Sequence, residues 1–208
     1  MLKTFPSGFF VLLLWRICTV IMKRIALLAS GNGTNAENII RYFQGRDDVS
    51  VSFVLSNRAQ AYVHERARRL GVPSYTYSKE AFQNGTVLRF LQEHAIDLVV
   101  LAGYMQMISN DMLEAYPKKI LNIHPSLLPK FGGKGMHGDA VHKAVVAAGE
   151  KESGITVHYL NDRYDEGEII FQATCPVLPS DSYEQVAAKV HALEYAWYPK
   201  IIEKELLK

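Results

Sequence analysis

Cysteine is nearly absent from this 208-residue chain: there are two, Cys18 and Cys175, and no C-x-x-C pair. That excludes a disulfide scaffold and a zinc ribbon and makes a reducing compartment the default. A surplus of charge is missing as well. Lys and Arg number 23 against 21 Asp and Glu, a net charge of +2, which argues against a bulk nucleic-acid or polybasic membrane binder. No apolar run is long enough to span a bilayer. Repeats and low-complexity segments are lacking too, and Gly (14) and Pro (8) are ordinary, so the chain is neither fibrous nor disordered. What is present is an apolar fraction of 49%, enough for a sizeable core without disulfides or structural metals.

The first 21 residues do not match the rest. Lys3, an apolar run from Gly8 to Trp15, and Arg16 superficially resemble a secretory signal. A signal, a short membrane anchor, and translated sequence upstream of a start at Met22 compete. The third is expected, because no small-residue cleavage site follows the run and Met22-Lys23-Arg24 leads straight into a buried-strand pattern. Without Lys3 and Arg16 the remainder carries 21 basic and 21 acidic residues. Residues 22–208 are expected to form one domain.

From Met22 onward strands alternate with amphipathic helices. Strands are expected at Lys23–Ser30, Val49–Ser56, Ser74–Tyr77, Asp97–Ala102 and Lys119–Ile123, with two longer, partly exposed ones at Thr156–Leu160 and Glu168–Cys175. Helices are expected at Asn35–Gln44, at Gln60–Leu70 with Gly71 as its stop, and at Lys79–His94 with a break at Asn84-Gly85. More follow at Asn110–Ala115, His137–Ala148 and Asp181–Leu207. Asp181 or Ser182 should cap the last helix, and Pro199 should bend or restart it. The pattern implies an α/β fold, a mostly parallel twisted sheet with helices on both faces, with ligands bound beyond the carboxyl ends of the strands.

Three segments there carry chemistry. Ser30-Gly31-Asn32-Gly33-Thr34-Asn35 joins the first strand to the first helix, where free N–H groups and a partial positive charge suit a phosphate. A dinucleotide site would want an acid at the end of the second strand, which instead reads Ser56-Asn57-Arg58. Asn122 and His124 lie two apart at the end of an inner strand, before Pro125. They face the same side and could stabilise an oxyanion and move protons. The polar loop Asn161–Gly167 offers Asp162, Asp165 or Glu166 to pair with His124 and keep it protonated. Residue physics does not choose among them.

Together SGNGTN, LAGYMQMIS, ILNIHPSLLPKF and GITVHYLNDRYDEGEIIFQ resemble the phosphoribosylglycinamide formyltransferase family, from about Met22 to the C-terminus. The resemblance implies a formyl group passing from 10-formyltetrahydrofolate to the amine of glycinamide ribonucleotide, in purine biosynthesis. Asn122, His124 and Asp165 match the family's catalytic trio. Gly33, Thr34, Asn35 and Glu194 match the ribonucleotide contacts. Met105, Gln106, Met107 and Ile108 match the folate-cradling segment, with Asn122 and the pterin loop Asn161, Asp162, Arg163, Tyr164 and Asp165. The co-substrate is the reduced folate and no metal is implied. Neither nucleic acid nor membrane is an implied partner, and a cytoplasmic monomer or homodimer is expected.

There are departures. Gln106 stands where relatives commonly carry Arg, and no Arg aligns clearly near Ala81–Thr86, Arg89 included. A few residues are inserted at Gly132–Asp139, His142 takes the place of the family's usual histidine, and His191 stands where an amide is frequent. A tRNA-directed formyltransferase is expected to carry a further basic domain, and a formyl-folate hydrolase a regulatory one.

Overall fold

The computed structural model describes residues 22–208. The reading of residues 1–21 as upstream sequence lies outside them. Seven strands form one sheet: β1 (Lys23–Leu28), β2 (Val49–Ser56), β3 (Ser74–Thr76), β4 (Leu98–Leu101), β5 (Ile120–His124), β6 (Glu152–Tyr159) and β7 (Ile169–Pro176). Their order is β3-β2-β1-β4-β5-β6-β7. β1 to β5 run parallel, and β6 and β7 are antiparallel to their neighbours. The helices are α1 (Thr34–Phe43), α2 (Val63–Arg69), α3 (Lys79–Gln83), α4 (Thr86–Glu93), α5 (Asn110–Ala115), α6 (Asp139–Ala147) and α7 (Tyr183–Leu206).

Continuous apolar runs make the central strands buried on both faces. In β1, Ile25 and Leu27 join a core with Ile39 and Phe43 of α1 and Val190 and Ile202 of α7. Ala26 and Leu28 join a second core with Phe82 of α3, Leu91 of α4 and Met112 of α5. Helices therefore cover both faces, as the alternation implied. In β5, Leu121 and Ile123 face the first core and Ile120 the second. The pleat puts Asn122 and His124 on the same side as Ile120.

Several boundaries differ from expectation. β6 starts at Glu152 rather than Thr156 and is almost wholly buried, not partly exposed, because β5 and β7 pair with it on either edge. α6 starts at Asp139 rather than His137, because Gly138 (φ 55°, ψ −138°) is not helical. Gly71 (φ 71°) does end the second helix, and Asn84-Gly85 does divide α3 from α4. Ser182 caps α7 in a capping box with Gln185. Pro199 does not restart that helix, which runs on through it. Proline leaves the carbonyl four residues earlier, that of Tyr195, without its helical donor; Asn38 Nδ2 of α1 donates to it at 3.0 Å. The buried Tyr198 hydroxyl donates to the carbonyls of Leu101 (2.9 Å) and Leu121 (3.3 Å), docking α7 across β4 and β5.

Candidate active site

The turn after β1 is knitted to its neighbours by Ser30. Its N–H donates to the Gly103 carbonyl (3.0 Å), and its hydroxyl donates to Asn57 Oδ1 (2.7 Å) while accepting the Met105 N–H (3.0 Å). Asn57, where a dinucleotide site would want an acid, is thus a structural tie. Gly33 has φ 75°, and a Cβ there would lie 2.4 Å from Val63 Cγ2, so only glycine fits. The Gly33 carbonyl accepts from Glu37 N–H to start α1. The N–H groups of its first turn, Thr34 to Ala36, have no partner within the helix and form a ready site for an anion.

That turn lines a cavity of about 370 Å³ together with the ends of β4 and β5, the segment before α6, the loop after β6 and one side of α7. Within it the structure brings together Asn122, His124 and Asp165. His124 is 4% exposed. Its Nε2 donates to the Phe131 carbonyl at 2.8 Å, and its Nδ1 lies 3.5 Å from Asp165 Oδ2. Asp165 Oδ2 itself accepts the Gly133 N–H at 2.9 Å. Both ring nitrogens thus face oxygen acceptors, an arrangement suited to an imidazolium.

A second histidine, missed in the sequence, completes the group. His158 of β6 lies directly opposite Asn122 of β5. Its Nδ1 is 2.9 Å from the Tyr159 carbonyl, which can only accept, so Nδ1 carries the proton. Burial pushes its pKa down and favours the neutral ring. Nε2 then accepts from Asn122 Nδ2 at 3.1 Å, which sets the amide's orientation. The other Asn122 N–H is left for a ligand. Only strand register pairs these residues, so no sequence signal could have found His158.

Glu194 is not the exposed helix glutamate that its position in α7 would suggest. It is 4% exposed, accepts from Asn35 Nδ2 at 2.9 Å and lies 2.9 Å from His191 Nδ1. The hydrogen bond to this carboxylate raises the pKa of His191. Asn35 Oδ1 and His142 Nδ1 are buried here without partners, and burial lowers the pKa of His142. Orphaned buried polar atoms want a ligand, and hydroxyl groups would satisfy both.

Leu101, Met105, Met107, Ile108 and Leu160 give one stretch of the lining an apolar surface. Met105 is exposed rather than core filling. Gln106 lines the cavity beside it, and Gln83 Nε2 tethers the segment through the Met107 carbonyl at 2.9 Å. Asn161, Arg163 and Tyr164 reach the cavity. Asp162 does not: Asn161 Oδ1 accepts the Arg163 N–H (3.0 Å), closing a tight turn that leaves residue 162 exposed. Glu166 is exposed and paired with Arg163. Of the three candidate acids, Asp165 alone lies against His124. Arg89 does not line the cavity, whereas the inserted Gly133, Gly135, Met136 and His137 do. Among the described residues no cluster of three metal-ligating side chains occurs.

The formyl transferase family profile matches residues 23–202. Phosphoribosylglycinamide formyltransferase of Bacillus subtilis is 40% identical over 89% of this chain and 95% of its own length. That of Haemophilus influenzae is 39% identical over 88% of this chain and 86% of its own. The crystal structure of glycinamide ribonucleotide transformylase 1 from Symbiobacterium toebii superposes with a TM-score of 0.79 at 41% identity, over 87% of this chain and 86% of that one. Phosphoribosylglycinamide formyltransferase from Bacillus halodurans gives 0.80 at 35% identity, over 89% and 96%.

Proposed function

The chain belongs to the formyl transferase family and, within it, to the phosphoribosylglycinamide formyltransferases; from that membership we infer how its site works. It formylates glycinamide ribonucleotide at the expense of a formyl-folate, a step of purine biosynthesis. The folate is 10-formyltetrahydrofolate, and no metal takes part. The ribonucleotide phosphate sits on the N–H groups of Gly33, Thr34 and Asn35. Its ribose hydroxyls meet Glu194 and the unsatisfied Asn35 Oδ1. The pterin lies against Met105, Gln106, Met107 and Ile108, under the Asn161–Asp165 turn. No helix among the described residues is long and apolar enough to cross a membrane, and we place the enzyme in the cytoplasm as a single formyltransferase domain over residues 22–208.

In the reaction the ribonucleotide amine attacks the formyl carbon and a C–N bond forms. The formyl oxygen becomes an oxyanion, to which the free N–H of Asn122 donates. The ammonium formed on the attacking nitrogen loses a proton, the bond from carbon to N10 of the folate breaks, and N10 takes a proton. His124, paired with Asp165, stabilises the oxyanion and carries these protons. To reach the reacting atoms, Nε2 must exchange the Phe131 carbonyl for them. The observation that carries the reading is the meeting of Asn122, His124 and Asp165 in the cavity that also holds the phosphate turn and the apolar segment. The test follows tetrahydrofolate release from 10-formyltetrahydrofolate with and without glycinamide ribonucleotide. Release that depends on the ribonucleotide, and falls about 100- to 1,000-fold in Asn122→Ala and His124→Ala, is expected. Release without the ribonucleotide would make the protein a hydrolase and overturn the reading.

A further inference from the structure

Arg66 of α2 points its guanidinium at the phosphate turn. Nε donates to the Asn32 carbonyl at 2.8 Å and Nη2 to Asn32 Oδ1 at 2.9 Å, while Nη1 pairs with Glu37 in the first turn of α1. The Tyr62 ring lies 5.0 Å from its Cζ. Two more contacts come from the same helix. Val63 N–H donates to the Gly31 carbonyl at 3.2 Å, and the Val63 side chain fills the space beside Gly33. One helix thus touches three successive residues of the turn. Glycine-containing turns have the most backbone freedom to lose, and a planar fork seated on two oxygens of one residue removes it.

Charge explains why this fixing matters. Among the described residues, Arg163 is the only Arg or Lys that lines the cavity, and it stands on the loop after β6. A phosphate on the turn is held by backbone N–H groups, so affinity depends on how well they converge. We propose that Arg66 is a positioning residue for the ribonucleotide phosphate, holding Asn32 so that the N–H groups of Gly33, Thr34 and Asn35 converge on it. The proposal rests on the formyl-transfer reading above.

The test measures kcat, KM for each substrate and melting temperature for the full chain and for Arg66→Ala, Arg66→Lys and Arg41→Ala. Arg41 is the other partner of Glu37, so its removal deletes the same unit charge without touching Asn32. Arg66→Ala is expected to raise the ribonucleotide KM about 10-fold or more, the worth of hydrogen bonds to a charged group, while kcat and the folate KM hold. Arg66→Lys should stay near the alanine value, because an ammonium cannot span both Asn32 oxygens, and Arg41→Ala should match the parent. An unchanged ribonucleotide KM in Arg66→Ala overturns the proposal. So does full recovery in Arg66→Lys, which would mean that charge alone matters. A parallel fall in kcat, both affinities and melting temperature would make Arg66 merely structural. Failure of the unmodified chain to need the ribonucleotide would instead overturn the formyl-transfer reading, and the proposal with it.

Discussion

His191 and Glu194 show how much a single side chain's surroundings alter its chemistry. Free histidine titrates near 6.5, but the Glu194 carboxylate favours the charged ring. Asp139 adds to the effect, and partial burial opposes it. The His142 ring faces the same imidazole, at 6.1 Å between centroids, and Tyr195 stacks on it. Because the pKa is raised, the positive charge persists above the ordinary imidazole value and disappears as pH rises through the folded one. NMR titration should place His191 above about 6.5, and Glu194→Gln should bring it down. A normal value in the parent protein would refute the pairing. At this scale the sequence was only partly legible. Gly33, Asn122 and His124 stood out because their chemistry is local to a turn or a strand end. Glu194 was singled out by the family resemblance alone, since its burial depends on tertiary packing and its partner Asn35 lies 159 positions away.

Elements were legible where their signals are short-range. The buried runs of β1, β2 and β4 and the Asn84-Gly85 break fell close to expectation because each is written in adjacent residues. β6 was misjudged because its burial comes from two neighbouring strands. In α7 the expected effect of Pro199 was offset by Asn38 of another helix. The start of α7 is local, with Ser182 accepting from Gln185 N–H and Gln185 Oε1 accepting from Ser182 N–H at 2.7 Å. Replacing Ser182 by Ala should cost about 1 kcal/mol of stability, seen as a lower denaturant midpoint at unchanged slope. A neutral result would show that tertiary packing, not the cap, holds this end.

For the whole molecule, two buried histidines link folding to pH. Burial lowers the pKa of His142 and His158. As pH falls below about 6.5 the unfolded chain takes up protons that the folded one resists. Their contribution is therefore fully present above that range and is lost as pH drops toward the folded values. His191 acts in the opposite sense, so the informative quantity is a difference. Urea midpoints measured at about pH 7.5 and about pH 5.5 should diverge less in His142→Gln than in the parent. Equal divergence would remove His142 from the linkage.

The sequence by itself determined the alternation of strand and helix, the glycine-containing turn after β1 and the Asn122–His124 pair, because periodicity and turn chemistry act over a few residues. Residue physics left three acids open and the family resemblance named Asp165; the tertiary structure set it against His124, and only that structure decided that His158 orients Asn122 and that Arg66 grips the turn after β1. Each depends on strand register or helix packing between residues 34 or more apart in the chain, and no local pattern encodes that distance.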